Sequence, residues 1–183
     1  MHKEKIILGI DPGTNFLGFG VVKIVGKELT LLDIGCLNIN TKEELGVKLK
    51  QIYFEIIRLI NSHHPDHLAI EAQFFGQNVQ SMLKLGKAQG VAIAAALSRD
   101  IPFTEYAPKK IKQSITGNGN ASKEQVAGML KNILKVKELN ANLDATDGLA
   151  TAICHYYQEG KSVGDKKYTG WKAFLSDNPK KMK

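Results

Sequence analysis

The amino-acid sequence predicts an α/β fold, a mixed five-stranded sheet with helices packed on its faces. Three observations predict it. The first 39 residues hold three β-rich apolar runs joined by short glycine-containing turns. The apolar spacing then switches abruptly to three and four residues, the period of a helix. Beyond that point, short apolar runs alternate with helical stretches, which places helices on the faces of a shared sheet.

The elements follow in order. "KIILGI" (5–10), "FLGFGVVKI" (16–24) and "LTLLDIGCLNI" (29–39) read as strands, and their short connections suit antiparallel hairpins because parallel neighbours need long crossovers. Within "TKEELGVKLKQIYFEIIRLINSHH", Leu45, Leu49, Ile52, Ile56, Leu59 and Ile60 form one apolar face. Thr41 and Glu44 have the spacing of a capping box that opens this helix. "HLAIEA" (67–72) is a short strand, residues 78–99 a helix, and "PFTEYA" (102–107) another strand. "PKKIKQSI" begins a short helix with proline in its first turn, and "TGNGN" (116–120) is a loop. Residues 122–135 form a helix with Ser122 and Gln125 placed as a capping box. Residues 143–160 form the last, closed by Gly160.

Composition narrows the function. A chain of 183 residues with 43% hydrophobic and 23% charged residues is most simply one domain, large enough to bury roughly 70% of its unfolded surface without disulfides. Its net charge of +7 favours a polyanionic partner. From Lys161 onward seven lysines face Asp165 and Asp177, so this tail carries +5 and residues 1–160 only +2. Two readings of the tail stand side by side, a solubilising end and a nucleic-acid-binding arm. Cys36 and Cys154 lack CxxC spacing and read as reduced, buried thiols. The charged start "MHKEK" and the early end of its apolar run argue against a signal peptide. No stretch approaches the roughly 20 apolar residues of a membrane span. A cytoplasmic protein without a membrane partner is expected.

Four acids stand where charge is costly. Asp11 ends the first strand against the Pro12-Gly13 turn, and Glu71 sits in "LAIEAQFF" between apolar neighbours. A carboxylate in such a setting needs a cation to neutralise it. Asp144 and Asp147, at i and i+3, share one face at the start of the last helix, where ordinary N-terminal capping chemistry would also place them. Together the four look like a site for two hard divalent cations, able to activate a water and stabilise the leaving oxygen of a phosphodiester. Gly18 and Gly20 leave room for close backbone approach.

Four stretches, "GIDPGTNFLGFGVV", "AIEAQFFGQNVQSMLKLGKAQGVAIAAA", "EYAPKKIKQSITGNGNASKEQV" and "DATDGLATAICH", occur in this order over residues 5–158. In them the chain closely resembles the RuvC family of bacterial Holliday junction resolvases, which have the RNase H-like fold. The resemblance implies a nuclease domain over residues 1–160, followed by the basic tail 161–183 that it does not cover. It implies Asp11, Glu71, Asp144 and Asp147 as catalytic metal ligands, with Mg²⁺ as cofactor, two per active site, and Mn²⁺ able to substitute. Position 144 varies between Asp and His in the family, and Asp here supports an all-carboxylate, Mg²⁺-preferring site. It further implies DNA-facing roles for Lys112 and Lys123, and stacking of Phe74 on a junction base; Phe75 reads as core. The implied partners are four-way junction DNA, a second copy of the chain in a homodimer, and the RuvA–RuvB branch-migration complex. The implied reaction is paired symmetric nicking in homologous recombination and DNA repair.

"GIDPGT" also resembles the first phosphate loop of actin-like and sugar-kinase ATPases, but those need two such domains. A junction-binding relative without chemistry is disfavoured by the presence of all four acids. His63, His64 and His67 in "SHHPDH" read as a polar loop, not a zinc site, for lack of a convergent cysteine. The small residues Gly86, Ala88, Gly90, Ala92 and 94–96 make helix 78–99 able to pack closely, against the sheet or against a symmetry mate.

Overall fold

The computed structural model describes residues 4–73, 78–139 and 141–159. Phe74 and Phe75, Gly160 and the tail from Lys161 lie outside them, as does the expected domain boundary. The elements are β1 (Glu4–Asp11), β2 (Phe16–Val25), β3 (Glu28–Asn38), α1 (Leu45–His63), β4 (His67–Glu71), α2 (Val79–Leu97), β5 (Phe103–Tyr106), α3 (Pro108–Thr116), α4 (Lys123–Leu134) and α5 (Leu143–Glu159). The sheet order is β3-β2-β1-β4-β5. The two hairpins are antiparallel, and β4 and β5 add in parallel to β1. The expected mixed five-stranded sheet with helices is therefore present.

Alternation along the central strands divides the core. Leu8, Ile10, Leu68 and Ile70 point to the face covered by Ile52, Ile56 and Leu59 of α1 and Ala88, Ala92 and Ala95 of α2. Ile7 and Ala69 point to the opposite face, covered by Ile111 of α3, Val126 and Leu130 of α4, and Leu149 and Ile153 of α5. Further along the same alternation, Asp11 (four after Ile7) and Glu71 (two after Ala69) continue the second row. On this face α4 is fixed at its start as expected: Ser122 Oγ accepts from the Gln125 N–H at 3.3 Å, and Gln125 Oε1 accepts from the Ser122 N–H at 2.9 Å. Pro108 opens α3, and Gly117 closes it in the left-handed region at φ 77°.

Three expectations change. The Thr41–Glu44 capping box does not form: α1 starts at Leu45, after Glu44, with no side-chain cap. Residues 40–44 turn instead, with Asn40 Oδ1 accepting from the Lys42 N–H and the Thr41 carbonyl taken by Lys48 Nζ. Cys154 is buried but Cys36 only partly so, because it lies on the edge strand β3. The histidines do not share one loop. His63 closes α1 with its ring bonded to Asp33 at 3.0 Å, while His67 opens β4 and stacks on His155 at 3.9 Å. No helix among the described residues is long and apolar enough to cross a membrane.

Candidate active site

Packing of α5 onto bare backbone assembles the site. A Cβ on Gly18 would lie 2.0 Å from the Asp144 carbonyl oxygen, and one on Gly20 would lie 2.4 Å from Leu149 Cα. Any side chain at either position would lift α5 off β2. With glycines there, the first turn of α5 rests beside the end of β1, which carries Asp144 and Asp147 to Asp11. Glu71 arrives from the neighbouring strand, because Ile10 pairs with Ile70 in the parallel β1–β4 ladder. The loop after β4 is held to the turn after β1 by Gln73 Nε2, which donates to the Pro12 carbonyl at 3.3 Å.

Two lysines meet these acids. Asp11, Glu71, Asp147, Lys112 of α3 and Lys123 of α4 line one cleft of about 230 Å³. Asp144 faces an adjoining cleft with Asp11. Lys123 Nζ lies 2.6 Å from Asp147 Oδ2 and 3.1 Å from Asp144 Oδ1. Six of the seven residues expected from the sequence are thus in one neighbourhood, and Phe74 lies outside the described residues.

The electrostatics are those of acids short of positive charge. Burial, reinforced by Asp147 and Asp144, pushes Asp11 up to about 7 against the pull of Lys123. Burial, with Asp11 and Asp147 adding to it, pushes Glu71 up to about 8 despite Lys123 and Lys112. Asp147 is also raised by burial, with Lys123 opposing. Burial lowers Lys123, but its bonds to Asp147 and Asp144 outweigh that and hold the ammonium firmly charged.

As these side chains stand, no three His, Cys, Asp or Glu among the described residues form a metal-holding group. Lys123 occupies the space between the two helical carboxylates and serves as their counter-ion. The donor chemistry nevertheless fits a hard divalent cation. All four donors are carboxylates, and two of them keep protons near neutral pH because no further cation offsets their burial. Turning the Lys123 ammonium outward would leave four ionisable carboxylates facing one another.

An RNase H-like sheet with carboxylates at the carboxyl ends of adjacent strands, a helix bringing two more, and lysines at the rim defines a nuclease of phosphodiester bonds. The chain matches the family model for crossover junction endodeoxyribonuclease RuvC over residues 7–155, and it belongs to that family. It is 57% identical over 183 residues to the crossover junction endodeoxyribonuclease RuvC of Christiangramia forsetii, covering 100% of this chain and 95% of that one. It is 55% identical to that of Bacteroides fragilis, covering 99% and 97%. Among solved structures, Thermus thermophilus RuvC in complex with Holliday junction substrate superposes with a TM-score of 0.78 at 31% identity, covering 85% of this chain and 96% of that one. The yeast mitochondrial Holliday junction resolvase shares the fold, with a TM-score of 0.60 at 16% identity and coverage of 86% and 83%.

The sequence reading passed over one charged residue beside this site. Lys48 is buried beneath the turn that follows Asp11, only 8% exposed, and donates to Asn15 Oδ1 at 3.3 Å. Its signal was its place on the apolar stripe of α1, three residues after Leu45 and four before Ile52.

Proposed function

We propose that this chain resolves four-way DNA junctions by metal-dependent hydrolysis, with Asp11, Glu71, Asp144 and Asp147 as the cation ligands. One observation carries the reading: half-buried carboxylates from three separated segments converge on adjoining clefts and press on one another's protons. Structural acids are normally placed where they stay ionised and paired, whereas such a cluster weakens the fold unless a cation enters.

Within this site each residue has a task. Asp11 and Glu71, fixed at the ends of β1 and β4, would hold a cation in their ionised forms. Asp144 and Asp147, which now pair with the Lys123 ammonium, would hold the cation in its place. Released from them, Lys123 joins Lys112 at the rim, where both meet phosphate oxygens. Mg²⁺, two ions per site with Mn²⁺ able to substitute, would supply Lewis acidity at the phosphorus and lower the proton affinity of the attacking water. In-line attack leaves 5′-phosphate and 3′-hydroxyl ends.

The finer reading extends to assembly. Val79, Leu83 and Leu97 are exposed on α2, and a Cβ on Gly86 or Gly90 would meet nothing within 4 Å. These residues share one helix face, while Ala88, Ala92, Ala95 and Ala96 pack on the sheet. That open face suits a twofold homodimer, and two equivalent sites suit two symmetric nicks. Stacking by Phe74, work alongside RuvA–RuvB in recombination and repair, and a cytoplasmic location complete the proposal.

The test is Asp11→Asn. The amide keeps the turn but removes one charge and one ligand. In EDTA at pH 8, above the value of about 7 to which Asp11 is raised, the variant binds a four-way junction at least as tightly as wild type, because one phosphate-repelling charge is gone. In Mg²⁺ it makes no nicks. Gel-shift titration and cleavage on the same junction read both, and normal cleavage by the variant would overturn the mechanism.

A further inference from the structure

A second cleft, of about 490 Å³, lies on the far side of the Thr14–Asn15 turn and is lined by Thr14, Asn15, Thr41, Lys48, Ser81 and Lys84, among others. It is continuous with the acid site. Thr14, Asn15 and Leu85 line both this cleft and the one shared by Asp11 and Asp144. A chain molecule leaving the carboxylates across the turn would enter it directly.

Lys48 makes this cleft unusual. The residue is only 8% exposed, yet it enters no ion pair among the described residues. The ammonium donates to two neutral oxygens, Asn15 Oδ1 at 3.3 Å and the Thr41 carbonyl at 3.1 Å. A third N–H is left over. The acid in the lining, Glu43, has its carboxylate bonded to Gln51 Nε2 at 2.7 Å. Lys84 adds a second cation from the exposed side of α2. An ammonium held inside without a counter-charge is poorly compensated, and an anion in the cleft would complete its surroundings. Thr14, Thr41 and Ser81 supply hydroxyls and Asn15 an amide, donors that suit the oxygens of a phosphate.

We propose that this cleft is a second phosphate site, in which Lys48 and Lys84 hold a backbone phosphate of the cleaved DNA strand on the Thr14–Asn15 side of the scissile bond. The assignment rests on the junction-nuclease reading above. It gives the strand a fixed point beyond Lys112 and Lys123, so that its direction across the carboxylates is set.

The test compares wild type, Lys84→Ala and Lys48→Gln on a four-way junction in EDTA, by fluorescence anisotropy over a range of salt. Each variant should lose about five- to tenfold in affinity and flatten the slope of log affinity against log salt by roughly 0.9. A neutral methylphosphonate is then placed singly at each linkage near the cut. At one linkage offset from the scissile phosphate, it should weaken wild type by the same factor and leave Lys84→Ala unaffected. Inorganic phosphate should compete for that increment in wild type alone. Variants that bind with wild-type affinity and slope would overturn the site, as would a loss that is equal at every neutralised linkage. Should Lys48→Gln fail to fold, the exposed Lys84→Ala decides. Wild type that neither binds nor cuts the junction would instead sink the nuclease reading, and this site with it.

Discussion

At the scale of single residues, function and stability pull Glu71 in opposite directions. Burial and the neighbouring Asp11 raise its carboxyl to about 8, so at pH 8 about half of the folded molecules hold a proton that the unfolded chain has released. A neutral amide of the same shape removes that conflict. Glu71→Gln should raise the melting temperature in EDTA at pH 8 by a few degrees, equivalent to about 1–2 kcal/mol, while abolishing cleavage in Mg²⁺. Differential scanning fluorimetry and a nicking assay measure the pair, and a lower melting temperature would show that Glu71 is a structural anchor. Asp11 and Glu71 were legible because each interrupts or ends an apolar run, where a carboxylate stands out; Asp144 and Asp147, which helix capping would also place, were legible only beside them and through the family's motif. Lys48 was not, because a long stem on an apolar stripe reads as a snorkelling surface lysine. Only the tertiary position of the 12–15 turn shows that its ammonium stays inside.

At the scale of elements, α5 is placed by what β2 lacks. The approach at Gly18 leaves no room for a methyl group, since its Cβ would meet the Asp144 carbonyl oxygen at 2.0 Å. Gly18→Ala should therefore shift α5, lower stability by more than the roughly 1–3 kcal/mol of ordinary overpacking, and cut activity further by separating Asp144 from Asp11. Ser122→Ala should act differently. It removes one half of the α4 capping box and costs about 1 kcal/mol, with Lys123 still able to reach its acids. Urea melts rank the two, and equal losses would mean that α5 tolerates displacement. The room left by Gly18 and Gly20 was legible, but not the helix that fills it, since close approach depends on pairings some 125 residues apart. The start of α1 was misjudged for a related reason. Thr41 has the right neighbours for a box, but its carbonyl is claimed by Lys48 across the loop, and the turn at 40–44 delays the helix.

At the scale of the whole molecule, a histidine on α5 and the acids at the ends of β1 and β4 respond oppositely to pH. His155 is 3% exposed, stacked on His67 and bonded to the Tyr106 hydroxyl through Nδ1 at 2.8 Å. Burial, with His67 adding to it, lowers its pKa to about 4. Between about 4 and 6.5 the unfolded chain therefore binds the extra proton, so this group's contribution to stability is complete above 6.5 and is lost as pH falls towards 4. For Asp11 and Glu71 the folded state binds the extra protons, so their effect runs the other way. Stability falls as pH rises from their unfolded values near 4 to about 7 and 8. Below 6.5 the two effects partly cancel; above it only the acids remain. In EDTA the melting temperature should thus decline between pH 6.5 and 8.5. Saturating Mg²⁺ should abolish that decline, because cations take the place of the retained protons. It should also expose the histidine arm as a rise in melting temperature from pH 5 to 6.5. Melting curves at 0.5-unit pH steps, with about 1 mM EDTA or 10 mM MgCl₂, provide the measurement. A melting temperature in EDTA that climbs or stays level from pH 6.5 to 8.5 would show that the carboxylates are already ionised and paired. In that case Lys123 and Lys112 would neutralise the cluster by themselves, and the acid site would need no cation to complete it.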